Sequence, residues 1–278
     1  MNRTILVTGA TGKTGQRLTD LLRSQGHDVR AVSRSTSPRF DWTDPDTWMA
    51  ALDGVHAIYI VTANLYDPAT PDQLRKFGLL AVQNGASRAV MASVPDDGSE
   101  AFQGVREAEQ ALASSGLGVT VLRFRWFMQT FSEDFLHPYV SAGELRLPAG
   151  GGGEAFIDAN DIAAVAAATL TQDHHSGHEY ELTGPRVLTF DDAASELSAA
   201  TGRTITYTAV SPEDYRNEQE KRTEPKEGID LLIDLYATIA SGDLMTTTTD
   251  VHNVLGRQPN DFRDFAQRTA HTGTWNKS

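Results

Sequence analysis

The stretch "TILVTGATGKTGQRLTDLLRSQGH", Thr4 to His27, places a β-branched apolar run, three glycines within seven residues and an amphipathic run end to end. Gly9, Gly12 and Gly15 follow a G-x-x-G-x-x-G spacing between a predicted strand and a predicted helix. Lacking a β-carbon, the first allows a tight turn, the second lets backbone approach a pyrophosphate, and the third lets helix and strand pack closely. The N–H groups of Thr11, Gly12, Lys13 and Thr14 are then predicted to face an anion, which the positive end of the helix dipole favours. Lys13 lies between the second and third glycines, so this is not the G-x-x-x-x-G-K-[ST] loop of nucleotide triphosphatases.

Over the first two thirds of the chain, apolar β-branched runs alternate with helical patterns, the mark of βαβ units and a parallel sheet. Strands are predicted near Thr4–Thr8, Val29–Ser33, Ala57–Thr62, Arg88–Ser93 and Val119–Phe124. In "TDPDTWMAAL", Asp44 can cap a helix that has Pro45 at its first position. "LTFDDAASELSAATGR" and "SPEDYRNEQE" also read as capped helices, the second opening at Ser211 and Pro212. The fold class is therefore α/β, a Rossmann-like doubly wound parallel sheet with a smaller C-terminal α/β lobe. The nucleotide-binding domain is expected over residues 1–150, with 154–182 returning to it, and the substrate lobe mainly over 183–278.

Composition narrows the function. A formal charge of −13 with no clustering of Lys and Arg argues against a nucleic-acid partner. The absence of cysteine removes disulfides, thiolate metal sites and cysteine nucleophiles together. Met1-Asn2-Arg3 leads straight into a strand-like segment and no apolar run is long enough to span a bilayer, so a cytoplasmic protein away from membranes, monomeric or homodimeric, is expected.

The next strand speaks to the choice of dinucleotide. An NAD site places an acid about 20 residues past the glycines, whereas NADP needs a cation for the 2′-phosphate. Here "VRAVSRSTSPR" offers Ser33, Arg34 and Ser35, a guanidinium flanked by hydroxyls, and NADP(H) is the expected cofactor. Arg30 and Arg39 are secondary candidates. In "FDW", where a third strand would run beside the adenine, Asp41 could touch the adenine edge while Trp42 lines it or packs in the core. Val61, Thr62 and Ala63, at the end of a strand, are expected to floor the site.

Other features carry weaker chemistry. Ser93, at a strand end, can hydrogen-bond a substrate carbonyl or merely close a turn. Phe127, Phe131 and Phe135 form an i, i+4, i+8 stripe that reads as core. Trp126 and Met128, off that stripe, read as a pocket wall for a flat apolar substrate, and Phe131 is kept with them as a pocket residue. His174, His175 and His178 read as a solvated turn, so no metal site is expected. Gly150 to Gly153 read as a mobile flap, and Asp161 as the opening of a helix.

The words TGATGKTG, SRS, "NGASRAVMASV", "SSGLGVTVLRFRWFMQTF", "AFIDANDIAAVAAATL" and "GHEYELTGP", in that order, resemble the NmrA-like branch of the atypical short-chain dehydrogenases/reductases. Within it, "SRSTSPRFDW" followed by "DTW" is similar to the group of ergot-alkaloid iminium reductases and their bacterial relatives. The resemblance implies a Rossmann-like domain, NADP(H) at the residues above and a small C-terminal substrate lobe. Two departures matter. No Tyr has Lys four residues later, so the Tyr-x-x-x-Lys proton donor of classical members is missing, and Arg106 is the nearest cation where some relatives carry Lys or His. Phe124 also stands where relatives commonly have proline. No catalytic acid is assigned, Ser93 and Arg106 being the weak candidates.

The expected function is NADPH-dependent hydride transfer to an electrophilic carbon of an aromatic or polycyclic small molecule: a quinone, enone or iminium of secondary-metabolism type. An electron-poor acceptor could dispense with a strong acid. The alternative is a catalytically silent NADP(H)-binding redox sensor of the NmrA type.

Overall fold

The structure, a computed structural model, describes residues 4–222, 225–243 and 245–276. Met1-Asn2-Arg3, on which the expectation about the leader rests, lies outside the described residues.

In chain order the elements begin β1 (Thr4–Val7), α1 (Lys13–Ser24), β2 (Val29–Ala31), α2 (Trp48–Leu52), β3 (Val55–Ile60), α3 (Thr70–Gln83), β4 (Arg88–Ser93), α4 (Gln103–Ala113) and β5 (Gly118–Arg123). They continue α5 (Thr130–Glu133), α6 (His137–Ala142), β6 (Glu144–Leu147), β7 (Gly153–Glu154), α7 (Ala159–Thr171), β8 (Glu179–Glu181), β9 (Leu188–Thr189) and α8 (Phe190–Thr201). β10 (Thr206–Ala209), α9 (Pro212–Lys221), α10 (Lys226–Ala240), α11 (Asp250–Leu255) and α12 (Phe262–His271) complete the series.

The chain divides into two compact units. The first takes the chain up to Arg125, then Ala159–Leu182 and Asp250–Arg257; the second takes Trp126–Asp158, Thr183–Thr249 and the chain from Gln258 onward.

The first unit holds a six-stranded sheet in the order β2-β1-β3-β4-β5-β8, every pairing parallel. β1 and β4 are buried along almost their whole length, as parallel strands covered on both faces must be. α1 lays Leu18 and Leu22 into the core and stops before Gly26, whose φ of +83° ends the helix in the left-handed region. The order runs outward from β1 in both directions, which sets the topological switch point at the carboxyl ends of β1 and β3. "FDW" forms no strand of this sheet; its loop makes only isolated bridges, Ser33 with Arg39 and Asp41 with Asp44.

The second unit is built around aromatics. Phe131 meets Phe156 and Phe262 edge-on, at 5.2 and 5.0 Å between ring centroids. Residues 126–150 and 154–158, expected with the nucleotide domain, belong to this unit instead. The cause is pairing: the Met128 N–H donates to the Ile157 carbonyl at 2.9 Å and the Ile157 N–H to the Trp126 carbonyl at 3.0 Å, while β6 pairs with β10. Conversely, Asp250–Arg257 returns to the first unit, where Asp250 accepts the Glu181 N–H at 2.8 Å and Arg257 pairs with the buried Asp161 at 2.6 Å. Thr189 forms a reciprocal capping box with Asp192 at the start of α8, and Ser211 caps α9. The glycine stretch is no loose flap. A β-carbon on Gly152 would lie 1.8 Å from the Ile239 carbonyl oxygen, so the loop is pressed against the end of α10.

Candidate functional site

At the switch point, the turn after β1 is made by glycine in two ways. Gly9 has φ +61°, a left-handed conformation, and a β-carbon on Gly15 would stand 2.3 Å from the Gly9 carbonyl oxygen. α1 can therefore begin against the turn only with glycine at position 15. Thr8 ties this turn to the end of β3: its N–H donates to the Tyr59 carbonyl at 3.0 Å, and its Oγ1 accepts the Val61 N–H at 2.8 Å. Thr11 and Gly12 are exposed at the lip, but the Gly12 N–H is spent on the Gly9 carbonyl at 2.9 Å. The Thr14 side chain also turns inward, where its Oγ1 accepts the Tyr59 hydroxyl at 3.2 Å. Of the donors expected to face an anion, Gly12 is thus committed to the turn itself, while Lys13 and Thr14 open α1, where the first N–H groups have no preceding helical carbonyl.

The Ala10 N–H donates to the Val32 carbonyl at 3.2 Å, so the turn adjoins the end of β2. Ser33 is buried, and its hydroxyl meets that of Ser35 at 3.1 Å while accepting the Ser35 N–H. Arg34 is exposed, and among the described residues it has no hydrogen-bond or ion-pair partner. The two secondary candidates are both occupied. Arg30 donates to the Ala51 and Asp53 carbonyls, and Arg39 pairs with Asp41 at 2.8 Å and Asp44 at 3.0 Å.

Asp41 and Trp42 sit here as scaffold. Hydrogen bonds from Thr43, backbone and side chain, hold the Asp41 carboxyl below its ordinary range, with Arg39 and Arg34 adding attraction. Both its oxygens are engaged. The Trp42 indole N–H donates to the Val61 carbonyl at 2.8 Å and its ring packs edge-on against Phe40 and Phe77, each 5.0 Å away. Val61 thereby floors the turn, its Cβ 3.1 Å from where a β-carbon on Gly9 would lie, and Thr62 and the exposed Ala63 follow it along the sheet edge.

The weak catalytic candidates are held elsewhere. Ser93 is buried and its hydroxyl donates to Glu109 at 2.5 Å; Glu109 in turn receives a two-pronged pair from Arg123 at 2.8 and 2.7 Å. Glu109 and Arg123 escaped the sequence reading. The available signal was a carboxylate on the apolar face of α4, among Val105, Ala108 and Leu112. Arg106 pairs with Asp96 at 2.6 Å and donates to the Ser99 carbonyl, fastening the loop after β4.

In the second unit, Met128 and Phe131 are sealed in the core at 1% and 0% exposure. They form no pocket wall there. Trp126 packs against Tyr236, Phe135 and Phe190, whereas Phe127 and Phe135 of the expected core stripe are only partly buried. α5 is four residues long, too short to carry the i, i+4, i+8 stripe as one helical face. His175 is buried and joined through Nδ1 to the Tyr180 hydroxyl at 2.8 Å.

Fold and turn together define a Rossmann-like α/β protein with a built glycine turn at its switch point. The chain belongs to the NmrA-like family, whose profile matches residues 1–227. It is 30% identical to the NAD(P)H azoreductase of Xenophilus azovorans, covering 96% of this chain and 98% of that protein. It is 31% identical to the festuclavine dehydrogenase of Aspergillus fumigatus, over 95% and 97% of the two chains. Its fold matches the NADPH-dependent quinone oxidoreductase of Escherichia coli complexed with NADPH, at a TM-score of 0.81 and 24% identity over 95% and 99% of the chains.

Proposed function

We propose that this chain is an NADPH-dependent oxidoreductase acting on aromatic or polycyclic small molecules, with the first unit binding the dinucleotide. Arg34 carries the cofactor half of this reading, because an exposed guanidinium that makes no hydrogen bond or ion pair among the described residues suits a 2′-phosphate beside the glycine turn. Gly9, Gly12 and Gly15 provide a cradle that β-carbons would fill, and the opening of α1 with Thr11 and Lys13 at the lip would receive the pyrophosphate. Thr62 and Ala63 would line the way toward the acceptor. When bound, the cofactor supplies a hydride from C4 of its nicotinamide, leaving as NADP+ while the acceptor carbon is reduced.

This chain's own contribution is positioning. Ser93 and Arg106 are both committed internally, which favours acceptors that need no strong acid: an iminium takes only the hydride, and a quinone or enone draws its proton from water. The relatives named for azo, festuclavine and quinone substrates point the same way.

The test is a fluorescence titration with NADPH and NADH, followed by nicotinamide absorbance in the presence of quinones, enones and iminiums. Tight NADPH binding with consumption by one class supports the enzyme. Tight binding without consumption by any of them replaces it with the redox-sensor reading.

A further inference from the structure

The segments that follow β3 and β4 at the carboxyl edge of the sheet each raise an aromatic ring. Tyr66 is 56% exposed, Phe102 is partly buried, and their centroids stand 6.3 Å apart with planes inclined at 55°. Neither ring hangs on a slack loop. Asn64 Oδ1 accepts the Tyr66 N–H at 2.9 Å, the Thr70 hydroxyl donates to the Asn64 carbonyl at 2.7 Å, and Asp67 accepts the Ala69 N–H at 2.9 Å. Across from it, Asp96 accepts the Gly98 N–H at 2.9 Å and Arg106 at 2.6 Å, while Arg106 also donates to the Ser99 carbonyl at 2.9 Å.

Holding a large aromatic surface in water costs hydrophobic free energy, and a rigid frame around it removes the option of folding it away. Tyr66 follows Thr62 by four residues, so its backbone lies within about 14 Å of the floor of the cofactor site. The same two loops carry Asp67, Asp96, Asp97 and Glu100, and Arg106, the cation joined to them, is spent on Asp96.

We infer that Tyr66 and Phe102 form an aromatic clamp that receives the flat ring of the acceptor and favours a delocalised cation over a neutral ring of the same size. This rests on the reductase reading for what is bound at that edge. The rings supply stacking and cation–π attraction, and the surrounding carboxylates supply the charge preference. Arg106 acts as a positioning residue, holding the loop that presents Phe102.

The test is calorimetric titration of the full chain, saturated with NADP+, with N-methylacridinium and with acridine at mildly alkaline pH, where acridine is neutral. Wild type is expected to bind the cation about tenfold more tightly than acridine, and Tyr66→Ala and Phe102→Ala to weaken cation binding about tenfold each. Tyr66→Phe keeps the ring and should restore binding, and an unaltered NADP+ affinity in every variant reports an intact fold. Wild-type binding in the alanine variants, no preference for the cation, or no binding of either probe overturns the clamp. If the variants lose the probe yet no acceptor oxidises NADPH, the clamp stands and the reductase reading falls.

Discussion

The Ser93 hydroxyl donates to Oε1 of Glu109 at 2.5 Å, and the same carboxylate receives Arg123 through two N–H bonds. The Ser93 proton is thus committed to Glu109. Ser93→Ala is therefore expected to lower stability by about 1.5–3 kcal/mol, as for a hydrogen bond to a charged group, with kcat changing little. Glu109→Gln removes the buried half of Arg123's pairing while Glu179 stays at 3.0 Å, and should cost about 1–3 kcal/mol. Urea unfolding beside steady-state assays checks both; a large loss of kcat in a stable Ser93→Ala would return the serine to the chemistry.

A β-carbon at position 15 would meet the Gly9 carbonyl oxygen at 2.3 Å, backbone against backbone. Gly15→Ala must push α1 off the turn. A destabilisation of about 1–3 kcal/mol is expected, with weakened NADPH binding in the protein that still folds. Thermal melting and nucleotide titration measure the two effects separately.

Arg34, near the turn, makes no hydrogen bond or ion pair among the described residues. Arg34→Glu replaces attraction for a 2′-phosphate with repulsion, and NADPH affinity should fall by about two orders of magnitude while NADH affinity changes far less. Equal, small changes in both would remove Arg34 from the cofactor site.

Burial, with His174, His178 and Arg88 nearby, holds the His175 imidazole below its ordinary value of 6.5. The unfolded chain takes up a proton that the folded site refuses. Stability from this residue is thus complete above about pH 6.5 and is lost as the pH falls below it. Thermal melts across that range should show the decline, and His175→Gln should flatten it; parallel curves for the two proteins would show that another group is responsible.

Phe131 is fully buried against Phe156, Phe190 and Phe262. Phe131→Ala should cost about 3–5 kcal/mol. Among acceptors of different size no selective change in KM is expected at temperatures where the variant stays folded, and a size-selective change would place this ring in a pocket after all.

Legibility followed the range of the interactions. β4 has the ends that its apolar run implies, the glycine turn lies where its spacing puts it, and Ser211 caps α9, because each depends on neighbours in the chain. Asp41 and Trp42 could not be resolved that way: one closes its loop on Thr43 and Arg39, the other reaches Val61, nineteen residues on. Ser93 was legible as a strand end, but the Glu109–Arg123 pair behind it assembles only when α4 packs on β5. Phe131 is core, as its stripe implied, but the same helical period misplaced Phe127 and Met128, because the one helix in that segment, α5, is four residues long.

The chain passes from one unit to the other at Arg125, Asp158, Leu182, Thr249 and Arg257. Asp158 and Asp161 flank one passage, each gripped inside its own unit, the first by Arg268 and Asn260 and the second by Arg257. No single cut in such a chain yields a self-sufficient half. A nick in any loop between Trp126 and Asp250 leaves two fragments that each hold parts of both units, and neither unit can be lifted out as a contiguous cassette and joined to another protein. Whatever selection or engineering alters here must act residue by residue on the whole.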